Sequence, residues 1–173
     1  MKKQNNNSKY WIILVAITTF MLSLFFSFLS NTALDILTII PGFIVLILVI
    51  IFGVLFDLIG VAVTIAKEEE FHAKASKKIR GAKTAIKLIR NSEKVSNFCS
   101  DVVGDICGVL SGAISAIIAF KLTESYGMNQ SFQFIVSALV ASITVSGKAI
   151  TKGIAKNNAN KILTIVTKII NFD

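Results

Sequence analysis

Proline and histidine each occur once in the 173 residues, tryptophan once and cysteine twice. With Pro41 alone, almost the whole chain is free of the residue that most reliably breaks a helix. One histidine and two cysteines cannot assemble a zinc or haem centre from the usual ligands. Cys99 and Cys107 are eight positions apart in one apolar stretch, about 12 Å along a helix axis, too far to bridge each other. They read as small apolar packing residues, and His72, in a charged stretch, reads as a solvated side chain. No nucleophile–base pairing is visible, so an enzyme is not expected. Acidic residues are scarce too, 10 against 18 Lys and Arg, for a formal net charge of +8. Apolar residues are what abound, at 54% of the chain. That is too many for an ordinary soluble domain.

Charge is almost missing from four runs: Tyr10–Leu29, Ile36–Ile65, Phe98–Phe120 and the shorter Phe132–Val145, which can extend through Ser131 and Ser146. About 20 apolar residues cross a bilayer. The basic residues fix the path. Lys2, Lys3 and Lys9 precede the first run, nine Lys and Arg fall between Lys67 and Lys94, and five between Lys148 and Lys168. A four-span path with both termini cytoplasmic keeps all of these inside and leaves only Lys121 elsewhere, as the positive-inside rule requires. Three spans would export one of the basic segments. The first run is too long for a signal peptide, and Asn31-Thr32-Ala33 is a poor cleavage site, so an uncleaved span is expected.

The segment Lys67–Asn97 carries Phe71, Ala75, Ile79, Ala82, Ile86 and Ile89 at helical spacing, with basic residues on the other faces. Gly81 divides it, and Asn91-Ser92 offers a cap before the next helix. After Lys156, an apolar stripe of Ile162, Ile165, Val166, Ile169 and Ile170 opposes Lys156, Lys161 and Lys168. Both segments read as amphipathic helices on the inner membrane surface, where anionic lipid accounts for their charge. Neither has the aromatic–basic platform that holds bases, so no nucleic-acid partner is expected. The fold class is therefore all-α: a polytopic integral membrane protein with four transmembrane helices and cytoplasmic amphipathic juxtamembrane helices. Residues 1–9 form a polar cytoplasmic N-terminus and 10–155 the transmembrane domain, including juxtamembrane helices at 67–97. Residues 156–173 form a C-terminal amphipathic helix. The expected location is a bacterial cell membrane, with the lipid bilayer as first partner.

Asp57, Asp101 and Asp105 break the pattern, since each carboxylate at the bilayer centre costs about 2.5–3.5 kcal/mol. Ten Ile, Val, Leu or Phe between Phe98 and Phe120 contribute only about −0.3 to −0.6 kcal/mol each, so that span needs protein neighbours. Gly104, Gly108 and Gly112 form a small-residue ladder on which a helix can approach, within the chain or across a homodimer or partner subunit. Asp105 lies about 16 Å beyond Lys94, and Asp57 about 15 Å before Lys67, on the helical rise. These depths match. With hydroxyls such as Ser100, Ser111 or Thr64 nearby, the donors are oxygen only, which suits Mg²⁺ or another hard cation. Asp101, which is shallower, could instead be neutralised by Lys148.

From Phe56 onwards the chain resembles the transmembrane domain of the cyclin M and CorB/CorC magnesium-transporter family. The family's F-S-A-S-E-T-A-L stretch falls on Phe56-Asp57-Leu58-Ile59-Gly60-Val61-Ala62-Val63. Its G-A-K-x-A-x-x-L pattern is reproduced by Gly81-Ala82-Lys83-Thr84-Ala85-Ile86-Lys87-Leu88. Its G-N-N-L-V-N-I falls on Ser100-Asp101-Val102-Val103-Gly104-Asp105-Ile106, and its closing G-E-I-x-P-K-x-x-A on the stretch from Gly147 to Ala155. The resemblance implies a dimer with an inward-open cavity and cation ligands in the first and third of these stretches. Carboxylates stand at some of those ligand positions, at Asp57, Asp101 and Asp105. The family's glutamate is replaced by Gly60, and the glutamate and proline of the closing motif by Lys148 and Thr151.

Two functions follow as expectations. The first is binding and transport of a divalent, Mg²⁺-like cation at an intramembrane site of Asp57, Asp101, Asp105 and Ser100. The second is a non-transporting membrane subunit or scaffold that assembles through the glycine ladder.

Overall fold

The computed structural model describes residues 39–127, 129 and 131–170, with scattered positions between Tyr10 and Phe28. The expected N-terminal tail at 1–9 and much of the expected first span lie outside the described residues. Among the described residues the chain is helical throughout, without a strand. The elements are α1 (Ile39–Ile65), α2 (Glu68–Ser76), α3 (Ala82–Arg90), α4 (Ser92–Ser96), a π-helical segment (Asn97–Gly104), α5 (Asp105–Tyr126) and α6 (Ser131–Ile170). Three rods are long and apolar enough to cross a membrane: Ile39–Ile65, Ser92–Tyr126 and Ser131–Ile170. Pro41 lies in the first turn of α1, where its missing N–H would have had no intrahelical partner.

The described contacts gather into two compact units, Met1–Ile50 with Ile106–Ala141, and Ile51–Asp105 with Ser142–Asp173. In the first, Leu46, Ile114, Ile118 and Val140 form a buried cluster, with Val45, Val49, Ile117 and Leu122 packed against it. Ser111 and Ser115 are buried among these apolar groups. Each hydroxyl donates back one turn, Ser111 Oγ to the Gly108 carbonyl at 2.9 Å and Ser115 Oγ to the Gly112 carbonyl at 2.8 Å. The hydroxyls thereby avoid the desolvation penalty of an unpaired polar group.

The second unit has a core of one large ring among small neighbours. Phe71 of α2 is buried with Ala62, Val63 and Ala66 at the end of α1, Ala85 of α3, and Ala155, Ala159 and Leu163 of α6. Alanines let four chain segments converge on one ring. Lys74 closes the edge: its Nζ lies 4.6 Å from the Phe71 ring centroid and donates to Thr164 Oγ1 at 2.9 Å. Two short helices, α2 and α3, stand in the segment where the amphipathic pair is expected, and their Phe71 and Ala85 share a buried cluster with Ala155, Ala159 and Leu163 of α6. Most of the C-terminal stripe lies outside this core, though Ile162 packs against it. Ala155, Ala159, Leu163 and Thr167 are the buried face, whereas Ile165, Ile169 and Ile170 are exposed. Small side chains permit the close approach that three isoleucines would block. Helix α6 covers Ser131–Ile170 but is two helices joined at a kink, where Asn158 leaves helical dihedrals (φ −129°, ψ 21°), two residues into the expected C-terminal segment.

The turn between α2 and α3 is set by two left-handed residues. Lys78 (φ 54°) closes α2: its N–H donates to the Ala75 carbonyl and that of Ile79 to the Lys74 carbonyl, both at 3.0 Å. Gly81 (φ 84°) follows, and a Cβ there would stand 2.9 Å from the backbone C and O of Thr167. Gly81→Ala should therefore cost at least about 1–3 kcal/mol from backbone strain alone, before any clash. A melting temperature in detergent equal to that of the wild type would refute this account of the turn.

Glu68 ties α2 to α3. Arg90 Nε donates to Glu68 Oε1 at 2.7 Å, and His72 Nε2 lies 3.0 Å from the same oxygen. The Arg90 hydrogen bond first, and the His72 contact second, hold the Glu68 carboxyl below its ordinary range. A carboxylate depressed in the folded state stabilises above its unfolded pKa, and that contribution fades as pH falls below about 4. Wild type should lose slightly more stability than Glu68→Gln between about pH 5 and pH 3. The difference will be small because the pair is exposed. Parallel acid denaturation curves for the two proteins would contradict it.

Candidate functional site

Asp57, Asp101, Ser100 and Asp105 all belong to the second unit, on α1, on the π-helical segment and at the first residue of α5. α1 meets the π-helical segment at very short range. A Cβ on Gly60 would stand 2.5 Å from Ser100 Oγ and 3.3 Å from both Cys99 Cβ and the Ser96 carbonyl oxygen. About two turns earlier, the Gly53 carbonyl lies 3.9 Å from where a Cβ of Gly104 would be. Residues 53, 57 and 60 share a helical face, so Asp57 sits on the face that α1 turns to the π-helical segment. π-helical turns are rare and occur mostly at functional sites.

The three carboxylates fare differently. Asp57 is 3% exposed, and its Oδ2 is buried without a hydrogen-bond partner. Asp101 is exposed. Asp105 is exposed as well, its side chain at 69%, and Lys148 Nζ lies 3.5 Å from its Oδ1. The same ammonium donates to the Gly104 carbonyl at 3.2 Å. Lys148 therefore reaches Asp105 and not Asp101, a correction to the pairing expected from depth. Gly147, beside it on α6, approaches α1, where a Cβ would meet Val54 Cγ2 at 3.3 Å. Three helical elements thus converge around the Gly104 carbonyl.

Among the described residues no group of three or more His, Cys, Asp or Glu side chains gathers as a metal site. The polar groups on the facing surfaces of α1 and the π-helical segment are the Asp57 carboxylate, the Ser100 hydroxyl beside Gly60, and backbone carbonyls, all oxygen. Such a set accepts a hard cation. A fit to Mg²⁺ is partial, because a second carboxylate from Asp105 is available only if Lys148 gives it up.

The glycine ladder divides in the same way. Gly104 is enclosed by the Cys99 carbonyl and the Lys148 ammonium, whereas a Cβ at Gly108 or Gly112 would meet nothing within 4 Å among the described residues. The closest helix contact falls instead on Gly60, which the ladder pattern did not reveal. Its only signal was a glycine three residues after an intramembrane aspartate.

Compared with family models, curated proteins and solved structures, the chain matches none. The likeness to the cyclin M and CorB/CorC family therefore rests on the residue patterns alone.

The close approach makes a paired test possible. Gly60→Ala should destabilise by about 1–3 kcal/mol, the usual cost of overpacking, and Ser100→Ala should relieve part of it. Gly108→Ala should be near neutral in the monomer. Strict additivity of Gly60→Ala and Ser100→Ala in thermal unfolding would show that the two positions do not touch.

Proposed function

We propose that this chain is an integral membrane protein that holds a hard cation at an intramembrane site built around Asp57, as a step in moving that ion across the bilayer. The observation that carries the reading is the buried, unpartnered Oδ2 of Asp57 in a helix long and apolar enough to span a membrane. An isolated buried carboxylate is costly by several kcal/mol, and intramembrane carboxylates mark ion pathways by default. On the same face of α1, Gly60 approaches Ser100 Oγ and Gly53 approaches Gly104, whose carbonyl accepts from Lys148. Lys148 acts as the resident counter-charge. When a divalent ion such as Mg²⁺ arrives, Asp105 is the second carboxylate that Lys148 must release. In this reading the chain crosses four times, with both termini and the basic segments Lys67–Lys94 and Lys148–Lys168 on the cytoplasmic side.

A second reading is a non-transporting membrane subunit. It draws on the open face at Gly108 and Gly112, where a helix of another chain has room to approach.

Cation titration separates the two. Na⁺, Ca²⁺ and Mg²⁺ should be compared for their effect on the melting temperature of the detergent-purified protein. A ligand at a hundred times its dissociation constant stabilises by about 2.7 kcal/mol. Asp57→Asn should abolish the cation-dependent increment, and Lys148→Gln should enlarge that for Mg²⁺ by freeing Asp105. Equal increments in wild type and Asp57→Asn would leave the assembly subunit as the better account.

A further inference from the structure

A cavity of about 350 Å³ opens where α1 ends, lined by Lys67 and Glu70 on one side and by Lys156, Asn157, Asn158 and Lys161 of α6 on the other. All of these residues lie in the second unit. The cavity is far along α1 from Asp57, whose cation chemistry it does not share. Lys67 is the second residue after α1 ends. The opposite wall is the stretch Lys156–Lys161, which contains the kink of α6 at Asn158 and in which every residue but Ala159 is polar.

The lining joins three lysines and three asparagines to one carboxylate, Glu70, and two apolar residues, Ile65 and Ala159. Among the described residues no carboxylate lies within the 4.0 Å ion-pair distance of Lys67, Lys156 or Lys161. Glu70 is the single acidic group against these three ammoniums. The Lys67 backbone N–H donates to Asn160 Oδ1 at 2.9 Å, which leaves the amide NH₂ of that side chain as its free hydrogen-bonding end. Lysines normally disperse or pair with carboxylates. Three unpaired around one cavity leave an excess of positive charge that an oxyanion would neutralise, through charge-assisted hydrogen bonds of the stronger kind. The volume is in the range of small-ligand sites.

We propose that this cavity binds a phosphate group, presented by the headgroup of an anionic phospholipid. The proposal rests on the membrane reading above for its choice of source. On that reading the end of α1 is the cytoplasmic edge of a span, where lipid phosphates are concentrated and basic pockets between helices take anionic headgroups. The bound headgroup joins the end of α1 to α6 and braces the Phe71 core beside it.

The test uses the full chain in a zwitterionic detergent, with the melting temperature followed against added short-chain phosphatidylglycerol, phosphatidylcholine or inorganic phosphate. Phosphatidylglycerol should raise the melting temperature, phosphatidylcholine much less, and the gain should shrink with added salt. In Lys67→Gln/Lys156→Gln the apparent dissociation constant should rise about tenfold or more, the scale of a lost charge-assisted hydrogen bond. Lys161→Gln, a milder change, guards against misfolding of the double variant and should give a smaller rise. Lys83→Gln/Lys87→Gln on α3 removes the same charge away from the cavity and should bind as the wild type does. An equal loss in that control pair, or no response of the wild type to phosphatidylglycerol, overturns the site. Inorganic phosphate alone producing the full shift overturns the lipid assignment in favour of a soluble phosphoanion. A chain that stays monomeric in buffer without detergent would refute the membrane reading separately, whatever the lysine variants do.

Discussion

Gly60 lets α1 approach the π-helical segment so closely that a Cβ there would stand 2.5 Å from Ser100 Oγ. The features of the candidate site follow from this contact. It turns the Asp57 face of α1 inward, which accounts for a carboxylate that is nearly inaccessible while two others on the neighbouring element are exposed. It also brings Gly53 toward Gly104, at the junction between π- and α-helical turns, where the Gly104 carbonyl accepts from Lys148. A larger residue at 60 would push α1 away and open Asp57 to its surroundings. The glycine is thus a condition for the burial that makes the carboxylate chemically interesting.

Lys148 gives this arrangement its electrostatic asymmetry. One ammonium serves an exposed carboxylate and a backbone carbonyl, while the buried carboxylate keeps an oxygen without a partner. Were the lysine present only to neutralise buried charge, Asp57 would be the group it should serve, since desolvation is costliest there. Its placement on Asp105 leaves the buried position for something else. On the proposed reading that something is a hard cation, and the buried, unpartnered oxygen of Asp57 is what favours it over a purely structural role.

Much of the fold could be read from the chain because apolar runs and helix breakers are strong local signals. The second run, the helical start near Pro41, and two short helices divided at Gly81 all follow from such signals. The site was less legible. Eight residues of π-helix leave no periodic trace that distinguishes them from α-helix, and a shift of hydrogen bonding is not written in any side chain. The partner of Lys148 could not be chosen from depth, since Asp101 and Asp105 lie one turn apart on the same helical rod. The glycine ladder is legible only in part. Spacing shows which small residues share a face but not which face is used, and of the three only Gly104 is enclosed.

The buried face of α6 shows why hydrophobicity alone misplaces the core in such a chain. In water the largest apolar side chains are the ones driven inside, whereas the apolar stripe from Ile162 to Ile170 is expected on a membrane surface. The core around Phe71 is instead closed by small residues, which let several segments approach closely. Ala155, Ala159, Leu163 and Thr167 turn inward and Ile165, Ile169 and Ile170 outward, beyond the kink at Asn158 as well as before it, where Ile143, Val145 and Ile150 are also exposed. The same rule therefore governs α6 along its length. An outer surface of isoleucine beside a cavity of unpaired lysines is what a helix needs if its side meets acyl chains while the cavity meets headgroups.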